Sequence, residues 1–158
     1  MTDLGSAPIP AVGPDDHVAG AGDDLLVVYA DLGCPRCAGA WQRLREHPGQ
    51  LVFRHFPLAS KHPRSPALHA AAEAAGRQGR FFELVDSLYA DRGRVDDPHL
   101  WERAERFGLG LDRFEADRRS EAVEARVRRD FQSGIRAGVG STPALFGPAG
   151  ERFPSASA

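Results

Sequence analysis

The residues best suited to chemistry are the only two cysteines of the chain, Cys34 and Cys37, separated by Pro35 and Arg36. Thiols three positions apart on a helical turn lie on the same side of it, close enough to form a disulfide. Pro35 suits a first helical position, because its missing N–H would have no partner there. Cys34 then stands at the helix N-terminus, facing unpaired amides and the positive end of the dipole, both of which favour thiolate. The Arg36 cation is expected to act in the same direction, so Pro35 and Arg36 are assigned as tuners of the Cys34 pKa. Cys34 is the expected nucleophile. Cys37, deeper in the turn, is the expected resolving thiol that attacks Cys34 in a mixed disulfide. Asp31, just upstream, has three readings: a proton shuttle, an opponent of thiolate formation, or a solvated carboxylate at a strand end.

Other uses of the pair carry less support. A structural zinc site needs about four ligands, usually a second Cys pair or paired histidines. His17, His47, His55, His62, His69 and His99 are scattered without that spacing, so no metal is expected. His55, in a strand amid apolar residues, reads as a packed and hydrogen-bonded core histidine. Two inert buried cysteines remain an alternative, against which the proline at a strand-to-helix junction argues. No glycine-rich phosphate loop or nucleophile elbow is present, and no cofactor is expected.

The elements needed to position the pair can be read on either side of it. Leu25-Leu26-Val27-Val28-Tyr29-Ala30 is a continuous apolar run, the pattern of a strand buried on both faces. Ala38, Trp41 and Leu44 continue the helix that Pro35 starts, Pro48-Gly49 ends it, and 51–56 forms a second strand. The unit is strand, helix, strand, as in a right-handed crossover. Helices follow from Ser65-Pro66, over 81–89, from Asp97-Pro98, over 111–117, and from Ser120 to Gly138. In the last, Val123, Val127, Phe131 and Ile135 are expected to form one core stripe. Gly147 to Gly150 reads as a hairpin turn between a strand at 144–146 and a return at 151–153.

Length and composition bound the rest. With 158 residues, 42% hydrophobic, and a formal charge of −2, the chain suits one globular domain. It offers no charge pattern for nucleic acid and no apolar run for a membrane. The first twenty residues lack a basic and then apolar signal pattern, so the sequence reads as cytoplasmic. In a reducing compartment a lone close cysteine pair points to redox chemistry rather than to a structural bridge.

Three blocks then stand out: 29–37 with Cys34-Pro35-Arg36-Cys37, Phe53-Arg54-His55-Phe56-Pro57-Leu58, and Gly138-Val139-Gly140-Ser141-Thr142-Pro143. In this order, with a long helical stretch between the last two, they resemble the DsbA-like branch of the thioredoxin superfamily, in particular its shorter bacterial members without a signal sequence. The resemblance implies an α/β thioredoxin fold with a central mixed sheet of four or five strands, over 23–153, and a helical subdomain inserted at about 60–138. Residues 1–22 would be a flexible arm with a short strand near His17, and 154–158 a frayed tail. It also implies a cis Thr142–Pro143 bond, Pro143 beside the sulfurs, and Thr142 as a substrate contact through strand addition. The implied activity is disulfide exchange with protein thiols or disulfides, served by glutathione or a thioredoxin system as redox partner. Alternatives are a redox-sensing module without turnover and a glutathione-dependent transferase or isomerase. Two departures stand against the pattern. The Pro-Arg dipeptide is neither Gly-Pro nor Pro-His, and the sequence ends where relatives continue into a helix, which makes a homodimer an expectation.

Overall fold

A computed structural model of the chain describes residues 7–154. Its sheet has five strands in the order β1-β3-β2-β4-β5: β1 (His17–Ala19), β2 (Leu25–Ala30), β3 (Gln50–His55), β4 (Ala144–Phe146) and β5 (Arg152–Phe153). β2 pairs in parallel with β3 and antiparallel with β4, so the sheet is mixed. The crossover from β2 to β3 is α1 (Pro35–Arg45). The inserted helices are α2 (Ser65–Gly76), α3 (Phe81–Ala90), α4 (Asp97–Arg106) and α5 (Leu111–Arg118), followed by α6 (Glu121–Arg136), which leads back to the sheet. This is the expected mixed sheet with a helical insertion.

Alternation along β2 and β3 sends side chains into two cores. Val28, Ala30, Leu51 and Phe53 face α1 and the inserted helices, with Trp41, Leu44, Leu68 and Leu84. Val27, Tyr29 and Val52 face the other way, against Phe56, Phe131 and Val139. Both faces of the central strands are covered, which is why β2 reads as an unbroken apolar run. α6 approaches this second face closely. A Cβ on Gly134 would lie 2.7 Å from the Phe56 ring and 3.0 Å from Tyr29, so this position has room for hydrogen alone.

The expected α6 stripe holds only in part. Val123 and Val127 are buried, but Ile135 is 50% exposed. At 3.6 residues per turn, a strict four-residue spacing advances the side chain about 40° each step, so Ile135 has rotated well away from Val123.

The N-terminal arm also departs from expectation. Ile9 and Val12 pack on the second core, and the buried Arg54 guanidinium ties the segment down. Its Nε and Nη2 donate to the Asp16 carboxylate at 3.0 and 3.1 Å, and Nη2 also donates to the Pro10 carbonyl at 2.9 Å. A guanidinium taken out of water needs such a set of acceptors, and the arm supplies them. Residues 1–6 of the expected arm, and 155–158 of the expected tail, lie outside the described residues. Replacing Arg54 with Met should strand Asp16 and lower the unfolding free energy by about 3 kcal/mol. Denaturant titration measures that loss, and early proteolytic cleavage within 7–16 should accompany it.

Candidate active site

The strand-to-helix junction places both cysteines. β2 ends at Ala30, and Asp31 to Gly33 turn the chain, with the Cys34 amide donating to the Asp31 carbonyl at 3.1 Å. Cys34 is the N-cap of α1 in extended backbone, and Pro35 follows inside the first turn. Cys34 and Cys37 are free thiols, 6% and 1% exposed, while Pro35 and Arg36 lie on the exposed side. The loop before β4 returns to the same place. Its Thr142–Pro143 bond is cis, and the Thr142 carbonyl accepts from Cys34 Sγ at 3.8 Å.

The two thiols are strongly differentiated. A hydrogen bond from the Cys37 thiol, helped against burial by the Thr142 side chain and the Cys37 and Arg36 amides, lowers the Cys34 pKa to about 5. Arg36 therefore acts on Cys34 through its backbone amide. The same Cys34 sulfur, together with burial, raises Cys37 well above the ordinary thiol range. The Thr142 hydroxyl, buried without an oxygen or nitrogen partner, is a spare donor for a sulfur that has become negative. The arrangement suits a nucleophilic thiolate at Cys34 beside a protonated Cys37.

Asp31 is not a solvated strand-end group: it is fully buried. Its Oδ1 accepts from the Gly33 amide at 3.0 Å and the Ser65 hydroxyl at 2.5 Å, and its Oδ2 accepts from the Leu58 amide at 3.0 Å. Burial opposes its charge, but the Ser65 hydroxyl and the Gly33 amide help to outweigh it, and the carboxyl stays below its usual range, with His69 Nε2 3.5 Å from Oδ1. The Asp31 amide points at Cys37 Sγ, 3.5 Å away, and its carbonyl accepts from the Tyr89 hydroxyl at 3.0 Å.

Sequence reasoning left unassigned the face of α2 that supports this junction. Ser65, His69 and Glu73 recur every four residues, all of them buried. Ser65 meets Asp31, His69 meets the Leu32 amide, and Glu73 meets His55 and His17. His55 is thus the hydrogen-bonded core histidine that its neighbours suggested. The detectable signal was the polar i, i+4, i+8 spacing in a helix otherwise rich in alanine. His17, His55 and Glu73 also bring three possible metal-ligand atoms within 4.8 Å of one another. Both imidazole Nε2 atoms, however, already contact the same carboxylate oxygen at 2.7 and 2.9 Å. The Arg126 guanidinium stands 3.8 Å from the other oxygen. A metal would have to displace both histidine contacts beside a fixed cation, which disfavours it.

No family model matches the chain. Among solved structures it is similar to a thioredoxin-like oxidoreductase from Silicibacter pomeroyi, with TM-score 0.77 and 24% identity over 90% of this chain and 84% of that one. It is also similar to alpha-DsbA1 of Wolbachia pipientis, with TM-score 0.74 and 19% identity over 91% and 81%. For BdbD of Bacillus subtilis the TM-score is 0.77 and the identity 14%, over 96% and 90%. Among curated proteins, the Na(+)/H(+) antiporter NhaA of Herminiimonas arsenicoxydans is 38% identical over 146 residues, 87% of this chain but 23% of that protein. NhaA 1 of Mycobacterium sp. strain KMS is 37% identical over 141 residues, 83% of this chain and 23% of that protein. The chain therefore spans about a quarter of the length of the curated relatives it matches, and among the described residues no helix is long and apolar enough to cross a membrane.

In reduced protein, thiolate absorbance near 240 nm should rise with a midpoint near pH 5, and Thr142→Val should move that midpoint upward. Because the folded Cys34 pKa lies below the ordinary value of 9.0, its thiolate stabilises the reduced fold fully above that value. The contribution is lost as pH falls toward 5. The stability advantage of reduced wild type over Cys34→Ser should shrink across that window, and a constant difference would contradict the assignment. In its fold, the chain is a thioredoxin-type α/β domain with a helical insertion, as in the DsbA-like structures it resembles.

Proposed function

We propose that the chain is a thiol–disulfide oxidoreductase acting on protein thiols and disulfides. The observation that carries this reading is the division between the cysteines, Cys34 drawn down to about 5 and Cys37 pushed up, at a helix N-terminus facing the Thr142 carbonyl. In the oxidised enzyme a substrate thiolate attacks Cys34 Sγ, forming a mixed disulfide and breaking the Cys34–Cys37 bond. Cys37 leaves with the electron pair and takes a proton. A second substrate thiolate attacks its partner sulfur, the substrate disulfide forms, and Cys34 departs as a thiolate. The substrate dithiol loses two electrons and two protons; one proton remains on Cys37 and the other reaches solvent. Run backward, the same steps reduce a disulfide, with Cys34 attacking and Cys37 resolving.

A low nucleophile pKa stabilises the reduced form and makes the disulfide more oxidising, which supports an oxidase or isomerase over a strong reductase. Glutathione or a thioredoxin system would reset the pair. An extended substrate segment would lie along the backbone before Pro143, with Thr142 as its contact. The curated relatives favour a second, compatible reading: a thiol-exchange module that works joined to, or beside, a membrane cation transporter.

Cys34→Ser should abolish turnover in insulin-reduction and dithiol-oxidation assays. Cys37→Ser should instead accumulate mixed disulfides through Cys34, because no thiol remains to resolve them. Turnover retained by Cys34→Ser would reject the mechanism. If the transporter reading holds, the trapped species will fractionate with membranes; trapping confined to soluble proteins would reject that setting.

A further inference from the structure

The buried histidines form a chain of contacts that ends at the cysteine loop, and each proton in it can be assigned. The Leu32 amide donates to His69 Nε2 at 2.9 Å, so that nitrogen carries a lone pair. His69 and His55 meet through their Nδ1 atoms at 2.8 Å, a contact that needs one donor and one acceptor. In a neutral His69 the proton must then lie on Nδ1 and be donated to His55. That leaves His55 with its proton on Nε2, donated to Glu73 Oε2 at 2.9 Å. His17 Nε2 approaches the same oxygen at 2.7 Å. Every link fixes the next, from β1 through α2 and β3 to the loop before Cys34.

The neutrality of His69 follows from its surroundings. It is fully buried, and burial pulls its pKa down to about 4 although the Asp31 and Asp130 carboxylates face it and His55 lies alongside. Beyond His55, Glu73 of α2 carries the next charge, with Arg126 of α6 3.8 Å from its other oxygen. A second proton on Nε2 would collide with the Leu32 amide.

We propose that His69, held in its Nδ1–H tautomer by His55 and Glu73, is a positioning residue for Cys34: it accepts the Leu32 amide and thereby fixes the turn that presents the nucleophile. The three amides after Asp31 each have a separate anchor. Leu32 donates to His69, Gly33 to the Asp31 carboxylate, and Cys34 to the Asp31 carbonyl. Only the first anchor comes from outside the turn. Without it, the Leu32 amide is buried with no acceptor, and the turn is free to carry Cys34 off the Arg36 and Cys37 amides. The inference rests on the thiol-exchange reading for its purpose, but its geometry is independent of turnover.

The test compares His69→Leu with His69→Gln. Glutamine offers one acceptor for Leu32 and one donor for His55, whereas leucine offers neither. His69→Leu should raise the Cys34 pKa by about one unit, which near pH 5 slows thiolate alkylation about fivefold; His69→Gln should restore both. A His69→Leu protein with reduced thermal stability but unchanged thiolate titration would overturn the proposal, leaving His69 a packing residue. If His69→Leu does not fold, ring nitrogen-15 spectra of the wild type decide. Protonation on His69 Nδ1 and His55 Nε2 is expected, and protonation on His69 Nε2 would overturn it. Alkylation and ring spectra need no substrate, so a wild type inactive in exchange assays would reject the proposed function without touching this result.

Discussion

The rest of the site depends on an anion that has no exposure to water. Asp31 sits where β2 runs out, and a carboxylate there survives burial only if donors surround it. Those donors come from several parts of the fold: Gly33 in the cysteine turn, Leu58 in the segment after β3, and Ser65 at the start of α2. Satisfying the one charge brings the strand end, the return loop and the helical insertion to a common point. The insertion is thereby held in contact with the thiols rather than merely attached to the sheet. The Asp31 backbone reaches Cys37 and Tyr89 from the same position.

From that junction the contrast between the sulfurs follows. Cys34 faces open amides at a helix N-terminus, which stabilise negative charge. Cys37 is one turn inside, nearly without exposure, with its proton directed to Cys34. A negative sulfur and a neutral one are stable as neighbours, whereas two negative sulfurs are not. The Cys34 sulfur and burial outweigh the Asp31 amide, which favours a negative Cys37, so a resolving step requires that its proton be removed when the mixed disulfide forms.

Much of this was legible in the residues themselves. The apolar run at 25–30, Pro35 at a helix start and the turn at 147–150 sufficed for the strands and the first helix. The resemblance added the order of the helical insertion and the cis bond at Pro143. What the sequence concealed was of two kinds. The Val123-to-Ile135 stripe repeats at four residues, which looks helical but drifts around the axis, so its last member faces out. The histidines failed as a pattern because they belong to different elements: His17 to β1, His55 to β3, His69 to α2. Only the fold gathers His17 and His55 around Glu73 and sets His69 against His55. Likewise Arg54 and Asp16 are far apart in sequence, and nothing local reveals that the pair holds the N-terminal arm to the sheet. Contacts within one helix or one turn are readable from spacing, whereas pairing between elements requires topology.

The most direct test of Cys34 and Cys37 as a redox pair is the equilibrium between protein and graded glutathione buffers, read by counting free thiols. A Cys34 pKa of about 5 lies between about 7 for a thioredoxin-type nucleophile and about 3.5 for DsbA. The expected result is therefore a single reversible two-electron transition between about −270 and −120 mV. No reversible Cys34–Cys37 disulfide, or a transition well below about −270 mV, would contradict a stabilised Cys34 thiolate as the centre of the site.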